Sequence, residues 1–189
     1  MKQLGCLLIL FLQASLLNAL DLQADSSRLS FVTIKNDAIA EVMNFSGLSG
    51  SIDPKSGAAH IDVVLNSVVS GIEIRDTRLR EQLFETKRFP MASFSTSVDM
   101  KSLGQLQVGE QLTTSLNGQL SLHGVVAPLK FDVVISKLSS GAFHAATLSP
   151  GLIDTKRFEL VAGVGKLRSI AGLASIGLTV PVTFSVVFQ

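Results

Sequence analysis

The chain has 189 residues, 47% hydrophobic and 16% charged, with 16 basic residues against 15 acidic ones. So even a balance excludes the basic footprint of a nucleic-acid binder and gives no strong attraction to anionic lipid head groups. Phe supplies all 11 aromatic residues, and the lack of Trp and Tyr disfavours a permanent seat at a membrane interface.

The first element is a secretory signal peptide, predicted over residues 1–19. Lys2 gives a basic start, Leu7 to Leu12 an apolar core, and Ala19 a small residue before the cut. A spanning helix needs about 20 apolar residues, and Gln13, Ser15 and Asn18 interrupt the run before that. No integral membrane span is expected after cleavage. Cys6, the only cysteine, sits before the apolar core and leaves with it. The mature chain, residues 20–189, then has no disulfide and no thiolate metal site, and its core alone must hold it. About 170 residues are ample for that.

Along the mature chain the dominant pattern is alternation. "SRLSFVTI" puts Leu29 and Phe31 on one face, and "HIDVVLN" does the same with Ile61, Val63 and Leu65. "FPMASFSTSV" reads as a strand through Phe94. "GQLSLHG" contributes Leu120 and Leu122, and "PLKFDVVIS" contributes Leu129, Phe131, Val133 and Ile135. The last strand is the clearest: Ile176, Leu178, Val180, Val182, Phe184, Val186 and Phe188 recur at spacing two. Pro181 cannot donate to a ladder, so this strand is predicted to be bulged or an edge there. An exposed edge would permit a homodimer. Turns are predicted at "DPKSG" (53–57), "SLNG" (115–118) and "SSG" (139–141). Short strands with close turn signals predict one all-β domain, an antiparallel sandwich or barrel.

One stretch breaks the pattern. "GIEIRDTRLREQLFETKRFP", residues 71–90, carries Glu73, Arg75, Asp76, Arg78, Arg80, Glu81, Glu85, Lys87 and Arg88. It predicts a short helix near 76–85, with Asp76 as N-cap. Leu79 and Leu83 share a face, Phe84 lies beside them, and Asp76 and Arg80 form an acid–base pair. Pro90 ends the helix before Phe89. A catalytic reading would use Asp76 or Glu73 as acid or base. Adjacent opposite charges more simply compensate one another, with Arg75 tying the helix start to nearby backbone.

Other chemistry is thin. His60, His123 and His144 lack metal-ligand spacing. "GLSGS" (47–51) is not a nucleophile elbow. "AGVGKLRS" (162–169) has Leu160 and Leu167 where a phosphate loop needs Gly and Ser or Thr, so it reads as a glycine-rich turn.

These residues, in order, resemble the YceI-like family of polyisoprenoid-binding proteins. "DSSRLSF" (25–31) and "FSGLSGSID" (45–53) resemble its first strands. The segment 61–96 carries its Arg-Asp-x-x-Leu-Arg core as Arg75, Asp76, Leu79 and Arg80, followed by Phe84 and Phe89–Pro90. "NGQLSLHGVVAPLKFDV" (117–133) and "LIDTKRFEL" (152–160) resemble later family segments. The family's frequent Trp or Tyr is missing, and "LRSIAG" (167–172) matches no family pattern.

The resemblance implies a lipocalin-like antiparallel β-barrel of about eight strands with a short helical insertion. It implies an exported, periplasmic or secreted protein that sequesters or carries a long isoprenoid chain, a polyprenyl lipid or quinone tail, and requires no cofactor. Phe31, Leu65, Phe94, Leu122, Phe131, Val182 and Phe184 would face the ligand. Leu79, Leu83, Phe84 and Phe89 would cap or line one end. Arg75, Asp76 and Arg80 would clasp the insertion, and no residue would be catalytic. Two other readings stay open here: a hydrolase using Asp76 or His123, and a stress-related structural or partner-binding barrel filled by its own side chains.

Overall fold

The computed structural model describes residues 19–189, so the predicted signal peptide lies almost wholly outside the described residues. Twelve strands form a single curled, antiparallel, lipocalin-like sheet. After β1 (Leu20–Asp21), β2 (Arg28–Lys35) and β3 (Ile39–Phe45) make a hairpin whose turn residues Asn36 and Asp37 have positive φ. β3 runs through Ser46–Gly47 into β4 (Leu48–Ile52). Its partner bends with it: β5 (Ala58–Val64) pairs with β4, and β6 (Val68–Val69), after a tight turn at Leu65–Ser67, pairs with β3.

β7 (Met91–Ser97), β8 (Gln111–Leu122), β9 (Val125–Lys137) and β10 (Phe143–Thr147) follow as sheet neighbours. β10 and β11 (Gly151–Asp154) both pair with β12 (Thr179–Phe188), and β12 pairs with β2. The ladder therefore runs round a closed circuit. Setting aside β1 and joining β3 to β4, β5 to β6 and β10 to β11, the twelve strands are eight bent ones. That is how the expected strand number and the observed one fit together.

Alternation places the core. Phe131, Val133 and Ile135 of β9 and Val182, Phe184, Val186 and Phe188 of β12 are all buried. β1 and its flank strap one end shut: Asp21 and Gln189 exchange backbone hydrogen bonds of 2.8 and 3.0 Å, and the Leu22 amide donates to Gly50. At the same end sits a plug, the short helix at residues 100–105, whose Leu103 is buried. Asp99 caps that short helix by accepting from the Lys101 and Ser102 amides.

Four local expectations change. "SLNG" is not a turn but the middle of β8. Gly118 there serves close approach: a Cβ would overlap the Phe94 ring laid across it. The turn is instead His123–Gly124, with φ of 52° and 80°, the left-handed pair a two-residue hairpin requires. "AGVGKLRS" is neither turn nor phosphate loop but lies in a helix, Val161–Ala171, closed by Gly172 at φ 63°. Its Gly163 lets the helix press against the backbone at Gln82 and Leu83.

Pro181 marks no free edge. β12 is paired on both sides, and Pro181 stands opposite Leu152 of β11. On the β2 side the register slips between Val182↔Phe31 and Ile176↔Lys35, a bulge that spares the missing N–H. β12 therefore offers no free edge through which a dimer could form.

The charged insertion also starts elsewhere. Helix α1 spans Glu73–Arg78, before Asp76 rather than from it, and Ile72 is its N-cap without a side-chain bond. The backbone then widens into a π-turn over Leu79–Leu83. Gly71, at φ 79°, turns the chain out of β6 and so sets the helix start. With α2 for Met100–Gln105 and α3 for Val161–Ala171, α3 packs against the π-turn that continues α1, and together they cover the end of the barrel opposite α2.

Candidate functional site

The barrel holds a cavity of about 440 Å³ under α1 and α3, within the usual range for ligand sites of roughly 300–1,000 Å³. Its wall is almost entirely hydrocarbon. Phe31, Leu122, Val182 and Phe184 line it from the strands, Leu65 from the turn between β5 and β6, and Leu79, Leu83 and Phe84 from the π-turn and its end. Phe94 and Phe131 also line it. Those two rings meet edge to face at 5.2 Å, and Phe131 meets Phe184 at 5.1 Å. Phe94 and Phe184 also border a second void of about 40 Å³ nearer α2. The aromatic trio is thus the floor of the large cavity.

Phe89, expected at the ligand, is not on the cavity wall. Its ring lies 4.3 Å from the His123 ring, with the Arg88 guanidinium 4.7 Å above it. Glu85, at φ 47°, turns the chain outward after the π-turn. Phe89 then covers the His123–Gly124 hairpin, where a Cβ on Gly124 would crowd its ring.

Several wall residues escaped the reading of the sequence. Met43 and Phe45 line the cavity from β3, and their spacing of two was a usable strand signal. Leu160, Val164 and Leu167 line it from α3 and its start. Their helical spacing was masked by Gly163 and Gly165, which argue against a helix on propensity alone.

Charge gathers only at the mouth. The Arg75 guanidinium reaches Glu41 of β3, the Ser70 carbonyl and, at 2.8 Å, the Ser70 hydroxyl. The Asp76 carboxylate accepts from the Ser70 amide at 2.8 Å. Adjacent residues of α1 thus grip one residue at the end of β6. Arg80 differs from expectation: it donates to the Asp76 carbonyl at 3.2 Å, and no ion pair joins it to the Asp76 carboxylate among the described residues. The carboxylate is already turned back onto Ser70. Neither Asp76 nor His123 is on the cavity wall.

Lys35 and Arg75 both bind Glu41. The hydrogen bond from Lys35, helped by the Arg75 charge and opposed by burial, holds the Glu41 carboxyl below its ordinary 4.5. A depressed carboxyl stabilises the fold above its unfolded pKa, and that gain is lost as pH falls through the folded value. Glu41→Gln is therefore expected to lower stability by about 1 kcal/mol near neutral pH, a figure reduced for solvent screening. The gap from wild type should close as pH falls below the ordinary glutamate range. Melting temperatures of both proteins across pH check this, and a pH-independent gap contradicts it.

The profile of the YceI-like domain matches residues 20–188. The chain belongs to the YceI-like family. This YceI-like chain is similar to a polyisoprenoid-binding domain from Saccharophagus degradans implicated in plant cell wall breakdown. The two are 35% identical at a TM-score of 0.86, over 89% of this chain and 97% of that one. BcnA of Burkholderia cenocepacia shares the fold at 19% identity and a TM-score of 0.65, over 89% and 99% of the two chains. A YceI protein of Campylobacter jejuni shares it at 20% identity and a TM-score of 0.50, over 75% and 82%. A search of curated proteins finds no match.

Among the described residues of this YceI-like chain, no group of His, Cys, Asp and Glu could hold a metal ion. No described helix is long and apolar enough to cross a membrane.

Proposed function

We propose that this protein is an exported carrier that sequesters a long isoprenoid chain, of polyprenyl or quinone type, inside its barrel. The observation that carries the reading is the hydrocarbon-walled cavity of about 440 Å³ with charge only at its mouth. Each buried CH₂ contributes about 0.8 kcal/mol, so a chain lying in such a cavity needs no polar contact along its length. A polar head would remain at the mouth beside Lys35, Arg75 and Arg78. The likeness to a polyisoprenoid-binding domain supports the choice of lipid. The work done is binding and release, with the covalent structure of the lipid unchanged.

The barrel filled by its own side chains fits less well, because it needs the space between Phe31, Leu65 and Val182 closed. Organic-solvent extraction of the natively purified protein, with mass spectrometry, is the test, and an isoprenoid bound in near-equal amount to protein is the expected result.

A further inference from the structure

We infer that the rim of the cavity is a docking surface for a lipid bilayer, a lip that dips into the membrane while the hydrocarbon chain passes in or out. Four isoleucines from three separate elements stand exposed there. Ile72 and Ile74 flank the start of α1 and border the cavity itself, yet are 50% and 57% exposed. Ile39 is 53% exposed at the β2–β3 hairpin, and Ile170 is 47% exposed beside Ala171, which borders the cavity.

Ile39 belongs to this rim by register. It pairs with Lys35, and Thr33 pairs with Glu41; cross-strand partners share a face. Thr33, Lys35 and Glu41 border the cavity, so Ile39 lies on the same inner face, one step beyond the mouth. The hairpin is held in place: the Asn36 carboxamide oxygen accepts from the Ala174 amide at 2.9 Å, and the Ser175 hydroxyl donates to Asp37 at 2.8 Å. The isoleucines are therefore presented by a braced edge, not a loose loop.

A bilayer is the occupant these features select. Isolated exposed apolar residues need no explanation, but a cluster rimmed by charge marks an interaction site. Here the cluster surrounds the opening of an apolar cavity, so whatever covers it meets the cavity directly. At the mouth Lys35, Arg75 and Arg78 stand against Glu41 alone among the bordering residues, and Arg78 has no ion-pair partner among the described residues. That local excess of positive charge suits lipid phosphates, on a chain whose overall charge is only +1. Isoleucine in place of Trp and Tyr gives shallow, reversible insertion rather than a lasting anchor.

The inference rests on the carrier reading for its purpose but not for its test. Wild type and the double variant Ile39→Ser/Ile170→Ser, sharing the same N-terminus, are floated with vesicles of phosphatidylethanolamine and phosphatidylglycerol, without added isoprenoid. Neither side chain is on the cavity wall. Wild type is expected to float, and the variant's vesicle partition coefficient to fall about tenfold. Uptake of an isoprenoid alcohol from detergent solution by the variant should match wild type. A wild type that stays off vesicles, or a variant that floats equally well, overturns the lip. Floating in the expected pattern without isoprenoid uptake supports the lip and overturns the carrier reading instead.

Discussion

Phe131→Ala is expected to cost about 3–5 kcal/mol of folding stability, the range for removing a buried Phe. Phe131 is buried in the centre of β9 and joins Phe94 to Phe184 through two edge-to-face contacts, each adding about 0.5–1.5 kcal/mol beyond area. Its ring lies so close over Gly151 of β11 that a Cβ there would overlap it. The large cavity also borders the ring, so the gap left by its removal opens into existing space instead of closing. Urea denaturation of the delipidated protein checks the value, with an unchanged dependence on urea as the sign that only stability moved. A loss below about 1 kcal/mol would mean the floor relaxes around the gap.

Ala92→Phe is expected to do the opposite: leave folding nearly untouched and remove lipid. Ala92 of β7 is buried, pairs with Val63 and borders the cavity. A ring added there enters empty space instead of overpacking a filled core, where the usual penalty is about 1–3 kcal/mol. Stability should hold or rise slightly. The ring displaces several methylenes of a bound chain, and at about 0.8 kcal/mol each this lowers affinity roughly a hundredfold or more. Thermal melting and isoprenoid titration of the same preparation separate the two effects. A barrel packed by its own side chains predicts instead a marked loss of stability.

The period of two carried most of the fold. Leu29, Phe31, Leu120, Leu122, Phe131 and Val182 alternate so regularly that strand, face and core follow from spacing alone. What failed to show in the sequence has particular physical causes. Asn117–Gly118 has the composition of a turn, yet the glycine answers to the Phe94 ring from a neighbouring strand, a contact no local window contains. Gly163 likewise answers to the backbone of the π-turn across from it, and it hid α3. The bends at Ser46–Gly47 and Leu65–Ser67 depend on each other, since β3–β4 and β5–β6 turn together.

The site divides the same way. Residues that face inward by alternation were legible, whereas Phe89 follows the positive φ of Glu85 and leaves the wall. The charge pattern of 71–90 showed that Arg75 and Asp76 had partners but not which. Ser70 lies close in sequence; Glu41, a strand away, becomes a neighbour only when β3 pairs with β6.

The most direct test is the content of the cavity. The natively purified protein and its Ala92→Phe variant are extracted with organic solvent and the extracts compared by mass spectrometry. An isoprenoid released from wild type, and largely missing from the equally well folded variant, is the predicted result. No lipid from wild type, with no uptake when polyprenyl or quinone lipids are added back, would contradict the account.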